Sequence, residues 1–152
     1  MEIHSSVFEN QKPIPMRYTC EGEDLSPPLT FAGVPQGTKS LVLIVDDPDA
    51  PRGTFDHWIV WNIPPTLAGL SEGAKELFSK NSAVKQGLNG FQDKKYRGPC
   101  PPPGKPHRYF FKLYALDNLL DLKEGVSKQE VEKAIQGHTL EKAELIGTYQ
   151  RS

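Results

Sequence analysis

The chain has 152 residues, a mass of 17.0 kDa and a formal net charge of −1 at pH 7. This size suits one domain with an ordinary hydrophobic core, and the lack of a Lys/Arg block argues against nucleic acid as the main partner. No stretch approaches the roughly 18 consecutive apolar residues of a membrane span, and Met1–His4 does not resemble the start of a signal peptide. We therefore expect a single domain (residues 1–152), a cytoplasmic location and no transmembrane segment.

Short extended segments open the chain. Glu2–Phe8 alternates loosely between apolar and polar residues and predicts a first strand, and Pro13–Tyr18 predicts a shorter one. Leu25–Phe31 is expected to be extended because residues before proline avoid the helical region, and Gly33–Thr38 indicates a turn. The first part of the chain is therefore predicted to contain extended segments rather than helices.

Three later segments predict strands more strongly. Ser40–Val45, His57–Ile63 and Tyr109–Leu116 are rich in β-branched and aromatic residues, and the first is expected to be buried on both faces. Prolines cluster between such segments rather than inside them, as expected when a missing amide donor would break a central strand. Thr66–Gly104 is long and weakly periodic, so it is predicted to be functional or to hold short elements.

Helix signals appear near the C-terminus. Ser127 and Glu130 form a capping box, and Gly137 suits the left-handed position that ends a helix. Thr139–Ile146 is predicted to form a second short helix. The sequence thus predicts a mainly β fold with a few short helices, including one or two near the C-terminus.

Polar side chains mark the ends of the three strong strands. Asp47 and Asp49 follow the first, His57 opens the second, and His107 and Arg108 precede the third. Strand ends on a rigid scaffold hold side chains in fixed mutual geometry. We therefore expect these ends to converge on one pocket.

Side-chain alternation suggests how the two histidines are oriented. With a period of two, His57 is expected to share a face with Ile59 and Trp61, and His107 with Tyr109. Arg108 would point the other way, which suits pairing with an Asp carboxylate to brace the loop. In that loop, the bond between Ala50 and Pro51 is a candidate for the cis form.

Three kinds of chemistry fit these residues to different degrees. A metal site is disfavoured because the ligands lie on three separate segments, and no G-x-S-x-G motif supports an acyl-transfer nucleophile. An anion pocket uses all the groups: the imidazoles, the Tyr109 hydroxyl and loop amides around Gly98 donate to phosphate or carboxylate, while Asp47 receives an ammonium or hydroxyl group. No metal and no cofactor are predicted.

The two cysteines, Cys20 and Cys100, are too few for a zinc ribbon or a disulfide framework. In a cytosolic setting, half-buried thiols are the favoured interpretation. A single long-range disulfide between them is the alternative interpretation.

These motifs together resemble the phosphatidylethanolamine-binding proteins, also called Raf-kinase-inhibitor-like proteins. Asp47–Pro51 looks like the family's first signature, Asp56–Ile63 its continuation and Gly98–Tyr109 its second signature. Met16–Leu29 and Ala143–Tyr149 look like the bacterial and archaeal branch. The resemblance covers nearly the whole chain.

The resemblance implies an antiparallel β-sandwich with short helices and a small anion pocket at one end. The ligand-binding residues that it carries over are Asp47, His57, Gly98, Pro99, His107 and Tyr109. Asp49, Pro51 and Arg108 would support the site, and Ala50–Pro51 would be a cis bond.

Two classes of function follow. In the first, the protein is a non-enzymatic binding or regulatory module that holds a small anionic or phosphorylated ligand, such as a phospholipid headgroup, and that inhibits a kinase or protease by surface contact. In the second, it is a hydrolase of phosphorylated or acyl substrates with His57 or His107 as general base. The first is favoured because the sequence shows no nucleophile, metal cluster or nucleotide loop. Exposed aromatic residues at the loop ends would also suit a homodimer interface.

Overall fold

A computed structural model describes residues 1–151 of the chain. In this range it contains nine strands, two α-helices and two 3-10 helices, and neither α-helix has the length and apolar composition to cross a membrane. The strands are β1 (Glu2–His4), β2 (Lys12–Pro13), β3 (Leu29–Ala32), β4 (Ser40–Asp47), β5 (Phe55–Ile63), β6 (Gly69–Leu70), β7 (Lys85–Gln86), β8 (His107–Leu116) and β9 (Thr139–Tyr149); the α-helices are α1 (Lys75–Lys80) and α2 (Lys128–Ile135); the 3-10 helices are Met16–Tyr18 and Glu72–Ala74.

The strands form two sheets that pack face to face. The large sheet has the order β2-β9-β8-β4-β5-β7 and the small sheet the order β1-β3-β6, and all neighbours are antiparallel except β2 and β9. Ile3 and Phe31 of the small sheet share one hydrophobic cluster with Leu43 and Phe111 of the large sheet. The fold is therefore mainly β, as predicted, with a core between two sheets.

Helix α2 covers the other face of the large sheet. Its Val131 and Ile135 pack with Ile44 and Ile59 in a second hydrophobic cluster. Because both faces of the sheet are covered, all eight residues of β4 are buried. This confirms the burial predicted for the start of that strand.

The predicted ends of α2 are present. The Ser127 hydroxyl accepts a hydrogen bond from the Glu130 amide at 3.2 Å, as an N-cap does. Gly137 follows the helix with φ of 79°, a left-handed conformation that glycine adopts without steric cost.

The helix predicted for Thr139–Ile146 is wrong, because this segment belongs to strand β9. Its partner β8 pairs with it along its whole length, from His107 opposite Tyr149 to Leu116 opposite Thr139. The interstrand hydrogen bonds outweigh the local helix propensity of Leu, Glu, Lys and Ala.

Two other segments also depart from expectation. The strand predicted for Pro13–Tyr18 is wrong over most of its length, because only Lys12–Pro13 pairs as a strand and Met16–Tyr18 is a 3-10 helix. The first predicted strand, Glu2–Phe8, is shorter than expected and ends at His4. Thr66–Gly104 does contain short elements, as the sequence indicated.

A disulfide joins Cys20 to Cys100 across a sequence separation of 80, so the interpretation as two thiols is wrong. The Cys20 amide donates a hydrogen bond to the Pro99 carbonyl at 3.1 Å, which brings the two backbones together at this point. Sequence spacing could not reveal this proximity, because it depends on how the sheets fold over one another.

Candidate functional site

A small cavity lies where the ends of β4, β5 and β8 meet. Its volume is about 150 Å³. Drug-sized ligands occupy sites of about 300–1,000 Å³, so this cavity suits a small chemical group. The lining residues are Asp47, Ala50, Pro51, Phe55, His57, Phe91, Cys100, Pro101, Pro102, His107 and Tyr109.

The strand order explains this convergence. Strand β4 lies between β5 and β8 and is antiparallel to both, so its end lies beside their starts. Asp47 pairs with Phe55, and the preceding Asp46 pairs with Phe110. The three polar strand ends singled out in the sequence therefore meet at one edge of the sheet.

A β-bulge sets the orientation of His57. Val45 pairs with Trp58 whereas the next residue, Asp46, pairs with Asp56, so His57 is an extra residue in β5. Such a bulge locally interrupts the strict alternation of side chains between the two faces of a sheet.

His57 consequently lies on the cavity side of the sheet. Its ring packs edge-on against Tyr109, with the ring centroids 5.3 Å apart. Ile59 and Trp61 lie on the opposite face, in the cluster covered by α2. The prediction that His57 shares their face is wrong because simple alternation does not account for the bulge, whereas His107 and Tyr109 do line the cavity together.

Asp47 holds His107 in a fixed orientation. The Nδ1 atom of His107 lies 2.7 Å from Oδ2 of Asp47, and the amide of Asp49 donates to Oδ1 at 2.8 Å. A carboxylate only accepts, so Nδ1 carries the proton and Nε2 is the ring nitrogen that remains for the cavity. Both oxygens of Asp47 thus have donors from the protein, and its main role here is to orient the imidazole.

His57 is held in a similar way by the backbone. Its Nδ1 donates to the carbonyl oxygen of Arg97 at 2.7 Å, which again leaves Nε2 for the cavity. Burial lowers the pKa of His57, although the hydrogen bond to Arg97 and the charge of Asp47 oppose this shift. The ring is therefore neutral at pH 7 in the ligand-free protein.

Tyr109 provides a donor that the protein leaves without an acceptor. The residue is 1% exposed, and its hydroxyl makes no hydrogen bond of standard geometry with the described residues, although the Asp47 carboxylate lies close enough to act on the phenol. Burial and the nearby carboxylate of Asp47 raise the pKa of the Tyr109 phenol, so it remains protonated. A buried unpaired donor costs about 1–3 kcal/mol, which a ligand acceptor in the cavity would recover.

Gly98 and Pro99 lie behind the cavity wall and are not among its lining residues. The Gly98 amide donates to Oδ1 of Asp24 at 2.8 Å, and the Pro99 carbonyl accepts from Cys20. A Cβ atom at Gly98 would clash with the backbone carbonyl oxygen of Tyr18 and lie 2.6 Å from that Asp24 oxygen, so this close approach requires glycine. The wall itself is formed by residues 100–102.

Asp49 and Arg108 brace the loop after β4. Arg108 donates to both carboxylate oxygens of Asp49 at 2.9 Å, which lowers the pKa of Asp49 to about 2. The Ala50–Pro51 bond is trans, so the predicted cis bond is wrong. The bidentate pair and a turn bond from the Gly53 amide to the Ala50 carbonyl, at 3.2 Å, close the loop without it.

Aromatic rings form the mouth of the cavity, and they were not among the predicted site residues. Phe55 lies 5.1 Å from His57 and 4.8 Å from Phe91 between ring centroids, and the Arg97 guanidinium lies 4.5 Å above Phe91. Phe55 directly precedes Asp56 and His57, so its place at the cavity could have been predicted from the sequence. Phe91 lies in the weakly periodic middle segment, where no sequence pattern indicated its place at the cavity.

Comparison with known proteins gives a consistent family. Residues 4–150 match the family model of the phosphatidylethanolamine-binding protein. A UPF0098 protein of Methanothermobacter thermautotrophicus is 50% identical over 151 residues, which cover 99% of both chains. The crystal structure of CT736 from Chlamydia trachomatis, described as a phosphatidylethanolamine-binding protein homolog, superposes with a TM-score of 0.92 at 44% identity, covering 99% of this chain and 97% of the other. YbcL of E. coli, described as a member of the mammalian family, gives a TM-score of 0.90 at 33% identity, covering 99% and 98%.

Proposed function

The chain belongs to the phosphatidylethanolamine-binding protein family, and from this premise we propose that it is a non-enzymatic binding protein for a small phosphate- or carboxylate-bearing group. A phospholipid headgroup is one such ligand. The observation that carries the proposal is the buried hydroxyl of Tyr109, which has no acceptor of standard geometry and belongs to a residue that lines the cavity. The rings of His57 and His107 line the same small volume.

Hydrogen bonding determines which ligands suit this pocket. A neutral imidazole whose Nδ1 already donates can only accept at Nε2. An anion at Nε2 therefore requires either that the ring takes up a proton or that the ligand brings its own. Monohydrogen phosphate has an O–H group and can do so, whereas a carboxylate or sulfate depends on protonation of the ring.

The remaining wall is apolar. Pro51, Phe55, Phe91 and Pro101 surround the polar end of the cavity. Such walls exclude water, and hydrogen bonds to an anion are stronger in the low-dielectric surroundings that result. They also suit a short aliphatic chain attached to the anionic group.

The four histidines of the chain make a direct test. Inorganic phosphate and O-phosphoethanolamine are titrated while the imidazole resonances are followed by NMR. We expect those of His57 and His107 to shift with one saturable curve, and those of the exposed His4 and the half-exposed His138, which lie outside the cavity, to stay in place. If the two cavity rings do not respond at millimolar ligand, the binding proposal is wrong.

The pairing of Asp47 with His107 at 2.7 Å favours a second candidate function, hydrolysis of a phosphorylated or acyl substrate. An oriented imidazole of this kind is the arrangement of a general base. No lining residue is Ser or Thr and Cys100 is oxidised, so this candidate uses a water activated by His107 as the nucleophile. Turnover of p-nitrophenyl phosphate or acetate that is abolished by His107→Ala would favour this candidate over simple binding.

Family membership also supports a regulatory role, in which the protein inhibits a kinase or protease by surface contact. The mouth of the cavity offers a surface for such contact, because Phe91 is exposed there beneath Arg97. Inhibition assays against both enzyme classes, with Phe91→Ala for comparison, test this role. A cytoplasmic location belongs to the proposal as well. The disulfide restricts this location mainly to hyperthermophilic organisms, since cytosolic disulfides persist chiefly there.

A further inference from the structure

We propose that Lys128, which lies on the opposite face of the large sheet from the cavity, positions His57 in the candidate site. Lys128 is the first residue of α2, and its side chain is only 8% exposed. Its Nζ atom lies 2.7 Å from Oδ1 of Asp56 and 3.3 Å from Oδ2 of Asp46. One ammonium group thus joins the end of β4 to the start of β5.

The two carboxylates need this cation. Asp46 and Asp56 are direct partners in the antiparallel ladder, and like charges in that position repel. Their side chains are 2% and 18% exposed, so water screens the repulsion poorly. Lys112 also bonds to Asp46, at 3.1 Å, but it does not reach across to Asp56. Lys128 is therefore the cation that links the two strands.

The linked residues are the chain neighbours of the site. Asp46 precedes Asp47, and Asp56 precedes His57 at the bulge. Side chains alternate between the two faces along β4, so Asp46 lies under α2 and Asp47 lies in the cavity. The bulge in β5 likewise places Asp56 under α2 and His57 in the cavity. By holding Asp56 under α2, Lys128 keeps the bulge in place, and with it the bond from His57 to the Arg97 carbonyl.

Removal of the Lys128 ammonium group is expected to move Asp56 rather than Asp46. An unpaired carboxylate is costly in a buried site, and of the two only Asp56 has partial access to water. Asp46 still has Lys112. In Lys128→Met we therefore expect Asp56 to turn toward solvent, which relaxes the bulge and displaces His57.

The test compares three variants with the wild type: Lys128→Met, the double variant Lys128→Met with Asp56→Asn, and the matched control Lys112→Met. The first readout is the His57 imidazole resonance without ligand, and the second is the dissociation constant for inorganic phosphate. Lys128→Met is expected to shift the His57 resonance and to weaken phosphate binding about tenfold, by analogy with the lower end of the loss when the partner of a metal ligand is removed. Asp56→Asn removes the unpaired charge and is expected to restore both readouts, and Lys112→Met to leave them near wild type.

An unchanged His57 resonance in Lys128→Met would overturn the proposal. So would a double variant as perturbed as the single one, because Lys128 would then act by packing alone. If Lys128→Met does not fold, the double variant decides: a His57 resonance near wild type supports the proposal, and a displaced one refutes it. The phosphate readout rests on the proposed function, but the ligand-free resonance does not. If the wild type binds no phosphate, the proposed function is refuted. The positioning role of Lys128 is then decided by the His57 resonance without ligand.

Discussion

Removal of the Tyr109 hydroxyl is expected to change stability and ligand affinity in opposite directions. The hydroxyl is buried and unpaired in the ligand-free protein. Leaving such a donor unsatisfied costs about 1–3 kcal/mol, and Tyr109→Phe removes it with little change of shape. We expect the free energy of unfolding to rise by about 1 kcal/mol, which in a domain of this size raises the melting temperature by about 2–4 °C.

The same substitution removes a donor to the bound anion. Hydrogen bonds to charged groups contribute about 1.5–3 kcal/mol, which corresponds to about 10- to 150-fold in affinity. Calorimetric titration with inorganic phosphate and thermal unfolding by circular dichroism measure the two effects on the same samples. Tyr114→Phe is the matched control, because Tyr114 packs against the cluster under α2 and not in the cavity.

Either measurement can contradict the role assigned to the Tyr109 hydroxyl. A melting temperature below that of the wild type would mean that the hydroxyl has an acceptor in the free protein. A phosphate affinity equal to that of the wild type would mean that the hydroxyl does not contact the anion. A loss of affinity as large in Tyr114→Phe would show that the effect is not specific to the cavity.

Three further predictions concern the disulfide, pH and the loop brace. Replacing Cys20 and Cys100 by serine opens a loop with a sequence separation of 80, which by chain entropy lowers the free energy of unfolding by about 4.5 kcal/mol; an unchanged urea midpoint would contradict this. Because the pKa of His57 is lowered in the free protein and a bound sulfate needs a protonated ring, sulfate affinity should rise as the pH falls from 8 to 6, by up to about tenfold per pH unit for each proton taken up. A flat calorimetric profile would show that no proton is taken up. Asp49 has a pKa of about 2 against about 3.9 unfolded, so its pair with Arg108 stabilises the fold above that unfolded value and is lost as the pH falls through about 2. Since Arg108 is half-exposed, Asp49→Asn should cost less than about 1 kcal/mol in urea unfolding near pH 7.

Local pattern was enough for much of this protein. The apolar, β-branched run of Ser40–Val45 indicated a strand buried on both faces, and the cap at Ser127 located the start of α2. The charge of Arg108 and the alternation of side chains likewise indicated that it pairs with an Asp carboxylate, which proved to be Asp49. The strand and the helix cap depend on residues that are close in sequence, and the Arg108–Asp49 pair depends on attraction between opposite charges. The tertiary structure preserves all three of these preferences.

Other features depend on contacts between segments that are far apart in the chain. The segment Thr139–Ile146 has helix-forming residues, but ladder bonds to β8 make it a strand. The bulge at His57 exists only in the register of β5 against β4, and it turns the ring into the cavity. The Cys20–Cys100 bond and the placement of Phe91 beside His57 likewise join residues that are far apart in the chain. The sequence therefore indicated the polar members of the pocket, Asp47, His57, His107 and Tyr109, but not its aromatic mouth. Interstrand register and long-range packing, which local patterns do not encode, decided how those residues face one another.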